Sequence, residues 1–87
     1  MTKRPLPIDR PAPEGALAVW VIYHRPKDYP DGYVLRCQYA MPGGTTEISK
    51  DAWFGDTLES LRAIVPPGLV RMSRHPNDEP HIVETWI

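Results

Sequence analysis

Proline constrains this chain more than any other residue. It fills 11 of 87 positions, over twice the ~5% usual in globular proteins. Pro5, Pro7, Pro11 and Pro13 crowd the N-terminus. Each fixes φ and removes a backbone donor, so residues 1–14 are expected to form neither helix nor central strand. They favour an extended, polyproline-like arm, with Leu6 and Ile8 as its only apolar anchors. Residues 15–87 are expected to form a single domain, because a chain this short suffices for one core and not two. Such a domain buries roughly 60–65% of its unfolded surface, so each large apolar residue counts.

Within that domain the clearest strand is residues 16–24, ALAVWVIYH, bounded by Gly15 and Pro26. It is apolar on both parities and reads as a central strand. The loop RPKDYPDG follows, with Asp31-Gly32 as its turn. Residues 33–41 make a second strand in which Tyr33, Leu35, Cys37 and Tyr39 face the core and Val34, Arg36 and Gln38 the opposite side. PGGTT is a turn, since no Lys-Ser/Thr pair follows it as a phosphate-cradling loop requires. Asp56 to Glu59 resembles a capping box, and Leu58, Leu61, Ile64 and Val65 recur at helical spacing with Glu59 and Arg62 outward. Pro66-Pro67-Gly68 ends this helix of about nine residues. A short extended piece near Leu69–Ser73, a turn at HPNDEP and a last strand at Ile82–Ile87 complete the chain. The expected fold is α+β. Its small antiparallel sheet has three to four strands (ββαβ or ββαββ, order 2-1-last), with one short helix packed on one face.

Charge and composition narrow the functional classes. Ten basic and eleven acidic residues give a net charge of −1 without blocks of either sign, unlike the basic excess that binds nucleic acid through its phosphates. The longest apolar run, Ala16–Tyr23, falls far short of the ~20 residues that span a bilayer. With one cysteine, Cys37, no intramolecular disulfide can form, which suits a reducing compartment, and the cytoplasm is the expected location. No nucleic-acid partner, membrane, metal, cofactor or catalytic residue is expected.

Several polar groups invite stronger readings. His75 and His81, with Asp78 or Glu79 between them, match no ligand spacing and read as a polar turn. Arg71 and Arg74 could grip an anion but more simply pair with Asp78, Glu79 or Glu84. Cys37, on the core side, reads as a buried small hydrophobe rather than a nucleophile. The serines lack a nucleophile elbow. Asp28 and Asp31 lack the other ligands of a calcium loop.

The aromatic residues point elsewhere. One short helix can cover only one face of a three-stranded sheet. The expectation is an uncovered face carrying Trp86, Ile82 and Glu84 near Arg36, joined by one parity set of the first strand, either Trp20 and Ile22 or Val19, Val21 and Tyr23, and rimmed by Arg36, Glu84 and Arg74. An external protein, a second copy of the chain, or the proline-rich arm could cover it.

The chain also resembles a family of short bacterial proteins. The resemblance lies in Trp20-Val21-Ile22-Tyr23, the loop Pro26-Lys27-Asp28-Tyr29-Pro30, and Leu58-Glu59-Ser60-Leu61-Arg62 leading to Pro66-Pro67-Gly68-Leu69. It also includes the ending Ile82-Val83-Glu84-Thr85-Trp86-Ile87. It spans residues 18–87, implies a bacterial or phage setting, and brings no activity or ligand.

The leading expectation is therefore a non-enzymatic protein-interaction module. It could be an inhibitor or adaptor docking on a larger bacterial complex, such as a phage-encoded blocker of a defence nuclease. The alternatives are a small-ligand or anion-binding domain or minimal enzyme built on Arg36, Arg71, Arg74 and His75, or a structural homodimer.

Overall fold

The structure, a computed structural model, describes residues 6–7, 12–74 and 80–87. Five antiparallel strands form one sheet: β1 (Leu17–His24), β2 (Tyr33–Ala40), β3 (Thr46–Gly55), β4 (Arg71–Ser73) and β5 (Ile82–Trp86). A five-residue helix, α1 (Leu58–Arg62), lies between β3 and β4 in the chain. The spatial order is β3-β2-β1-β5-β4. The α+β class, the central first strand and the last strand beside it agree with the sequence expectation. The strand count does not, because β3 is absent from that reading.

β3 escapes a period-2 reading because its pattern is broken. Arg36 of β2 faces Ala52, but Gln38 faces Ile48, so Ser49, Lys50 and Asp51 bulge opposite Cys37. The Ser49 hydroxyl accepts the Asp51 N–H at 3.2 Å, which holds the bulge locally. A bulge and a lysine on an edge strand also discourage pairing with a further chain.

The helix begins one residue later than the capping-box reading places it. Thr57, not Asp56, is the N-cap, and its hydroxyl accepts the Ser60 N–H at 3.2 Å. A helix of five residues has little stability of its own, so it forms because Leu61 is buried against the sheet. Gly55, at the end of β3, allows this approach: a Cβ there would lie 2.3 Å from Ser60 Oγ and 3.3 Å from Leu61 Cγ.

The principal core lies between the helix side of the sheet and the chain from α1 to Leu69. Trp20, Ile22, Leu35, Cys37, Trp53 and Leu61 are buried there, with Tyr33, Tyr39, Ile64 and Trp86 packed around them. Small Cys37 sits beside Trp20 on β2, which lets the Trp20 and Trp53 rings meet across that strand at 5.8 Å, tilted by 53°. The alternation expected for β2 is the one observed.

Candidate functional site

Cross-strand register assigns each candidate residue to a side of the sheet, since directly paired residues project the same way. Trp20 pairs with Cys37 and Trp86, and Ile22 pairs with Glu84, so Trp20, Trp86 and Glu84 all belong to the helix side. Arg36 pairs with Val21 and lies on the opposite side. A register shift between Ile22 and Tyr23 skips Val83 and sets Ile82 opposite Tyr23, which moves Ile82 to the Arg36 side. The expectation that Trp86, Glu84, Ile82 and Arg36 share one open face is therefore corrected. The bulge at Val83 and the parity of β1 divide them, and Trp20 is core. Arg74 is exposed beyond the end of β4 and has interactions of its own. His75, Asp78 and Glu79 lie outside the described residues.

On the helix side the dominant polar feature is Glu84, buried at 2% exposure. Arg62, expected to point outward, instead reaches across from α1. Its Nε–H donates to both carboxylate oxygens at 3.2 and 3.0 Å, and its Nη2–H donates to Oε1 at 2.6 Å. Trp86 Nε1–H donates to Oε2 at 2.7 Å. Arg71 Nη1, projecting from β4, stands 3.9 Å from Oε1. Burial pushes the Glu84 carboxyl upward, but the Arg62 and Trp86 hydrogen bonds and the two guanidinium charges outweigh it and hold it below the ordinary glutamate value. The network fastens α1 to the β5 side of the sheet.

The opposite side divides into two halves. At one end the β1–β2 loop folds back over the strands. Asp28 forms an ion pair with Arg36, the Tyr29 ring packs on Phe54 at 4.9 Å, and Pro26 is buried. Between this loop and the sheet lies an open depression of about 350 Å³ lined by Tyr23, Pro26, Lys27, Asp28, Arg36 and His81. The other end is the one toward the β2–β3 turn. Leu17, Val19 and Ile48 project there, and strand alternation adds Met72, Val70 and Ile87. Val70 and Ile87 exchange backbone hydrogen bonds at 2.7 and 3.1 Å, so the pairing of β4 with β5 continues to this edge. Ile48 is 69% and Val70 66% exposed, and Leu17, Met72 and Ile87 are exposed as well. These apolar residues run along β1, β5 and β4, and Gln38 of β2 separates them from Ile48 on β3. The sequence reading missed this group because Ile48 belongs to the unrecognised strand and Val70 and Met72 to a segment read only as a short extended piece.

Arg36 and Arg71 stand on opposite sides of the sheet, so the arginines of the anion-binding alternative do not converge. Cys37 is a buried free thiol, and burial pushes its pKa up despite hydrogen bonds to Tyr39 and the Val19 backbone. Among the described residues no group of three or more histidine, cysteine, aspartate or glutamate side chains is placed to hold a metal ion. Nor is any helix among them long and apolar enough to cross a membrane.

The fold and its surfaces define an α+β domain with a covered, tryptophan-rich side and a half-open apolar side. Compared with protein-family models, with curated proteins and with solved structures, the chain matches none.

Proposed function

We propose that this chain is a non-enzymatic protein-binding module that docks through the bare half of the sheet opposite α1. The supporting observation is the apolar group of Leu17, Val19, Ile87, Val70 and Met72 along β1, β5 and β4, with Ile48 beyond Gln38 on β3. Contiguous exposed apolar surface of this kind is uncommon on monomers and marks contact sites. Both edges are poor templates for strand addition, because β3 is bulged and β4 has only three residues. The face is therefore the better docking element, and an inhibitor or adaptor on a larger complex is the role it suits.

The test is paired affinity capture with the wild-type chain and two variants, Val70→Glu on the band and Arg71→Met on the other side. The expected result is a discrete protein retained by wild type and Arg71→Met and lost with Val70→Glu, while the circular dichroism of all three agrees. Equal retention by Val70→Glu, or a homodimer by light scattering that the same substitution dissolves, would replace an external partner with no role for the band or with self-association.

A further inference from the structure

We propose that Arg62 and Arg71, held by the buried Glu84, form a binding site for a small oxyanion of the phosphate or carboxylate class. Both guanidinium groups address the same Glu84 oxygen, Oε1, at 2.6 Å from Arg62 Nη2 and 3.9 Å from Arg71 Nη1, so they are neighbours. They arrive from separate elements, α1 and the edge strand β4, and only the tertiary fold brings them together. Glu84 balances one positive charge, and Glu59, which acts on Arg62 without an ion pair, offsets part of the other. Arg62 satisfies Glu84 through Nε and Nη2 and uses Nη1 in none of these bonds, and its side chain is 36% exposed. The side chain of Arg71 is 52% exposed, and its 3.9 Å approach is longer than a hydrogen bond, so its donors are available to a ligand.

Charge and geometry both favour an anion. A buried ion pair is weak evidence for stability, since a packed hydrophobe would serve the core as well. A second arginine beside a pair already complete adds like-charge repulsion, which an oxyanion bridging the two guanidinium groups would relieve. Guanidinium edges match the oxygen spacing of phosphate and carboxylate. Glu84 then acts as a positioning residue. It fixes the Arg62 fork, and with Trp86 Nε1–H donating to its other oxygen, the carboxylate itself has little freedom to turn. Glu59 also faces Arg62 electrostatically and lowers the local excess of positive charge, so affinity is expected in the millimolar range.

The experiment is a titration of the full chain at constant ionic strength, with sodium phosphate in one arm and sodium acetate in the other. It is followed by the NMR signals of Trp86 Nε1–H and Arg62 Nε–H. The expected result is a saturable shift of both signals in at least one arm, and the arm that saturates identifies the oxyanion. Arg71→Met, at an exposed position that leaves the core intact, should weaken binding about tenfold or more. Arg36→Met, on the far side of the sheet, should leave it unchanged. Shifts that grow linearly in both arms, or an undiminished affinity in Arg71→Met, would overturn the assignment. Either result would leave the apolar docking band untouched, since the two sites lie on opposite sides of the sheet.

Discussion

Replacing Glu84 with glutamine keeps the side chain's shape and removes its charge. The carboxylate accepts three donor contacts from Arg62 and one from Trp86, and the amide has a single oxygen to offer them. Hydrogen bonds to charged groups contribute about 1.5–3 kcal/mol each. The Arg62 side chain is 36% exposed and can turn toward water, so the sum is discounted to about 2 kcal/mol overall. At ~0.05–0.15 kcal/mol per residue the whole domain has about 4–13 kcal/mol of stability. The substitution should therefore lower Tm by roughly 8–16 °C at neutral pH. The pH dependence identifies the cause. Glu84 has its folded pKa depressed, so its contribution is present above the unfolded value of about 4.3 and is lost as pH falls through the folded value. Urea unfolding of wild type and Glu84→Gln should differ by about 2 kcal/mol at pH ~7 and converge at acid pH as Glu84 takes up its proton. Glu84→Leu should be better tolerated than Glu84→Gln, because it leaves no buried amide with unsatisfied donors facing Arg62 and Trp86 and lets Arg62 rehydrate. Arg62→Met strands a buried carboxylate and should be the most damaging of the three. A gap between wild type and Glu84→Gln that is the same at both pH values would refute the electrostatic account and assign the loss to packing.

Thr57→Ala should cost about 1 kcal/mol and Asp56→Ala almost nothing, measured by urea denaturation, because the Thr57 hydroxyl caps the helix. Gly55→Ala should destabilise by about 1–3 kcal/mol in the same assay, since its Cβ would push on Ser60 and on the buried Leu61. Cys37 should resist a thiol reagent in the folded protein at neutral pH and react fully once urea unfolds it. Rapid stoichiometric labelling of the native chain would contradict its burial. Cys37→Leu should also destabilise by about 1–3 kcal/mol, by forcing apart the Trp20–Trp53 contact.

The legible parts of the fold are those where local pattern and tertiary environment agree. β1 reads clearly because β-branched and aromatic residues run without interruption from Val19 to Tyr23, and β2 because Leu35 and Cys37 alternate with Arg36 and Gln38. Order 2-1-last followed from connectivity alone. β3 was illegible because Ser49–Asp51 insert polar residues and a register slip into an otherwise regular strand. The candidate site fared worse, for a related reason. Placing Trp86 and Glu84 requires the parity of β1, which an all-apolar strand does not reveal, and placing Ile82 requires the bulge at Val83. The Arg62–Glu84 pair joins positions 22 residues apart. Complementary charge is present in the sequence, but nothing local selects Glu84 over Asp78 or Glu79 as the partner.

The three tryptophans all sit on the α1 side of the sheet, with Trp20 and Trp53 inside the core and Trp86 tied to Glu84. Indole emission is thus a one-sided reporter. It will track unfolding and events around the two arginines, yet stay nearly silent when something settles on the far surface. Binding there is better followed from a label attached near Ile48 or Met72.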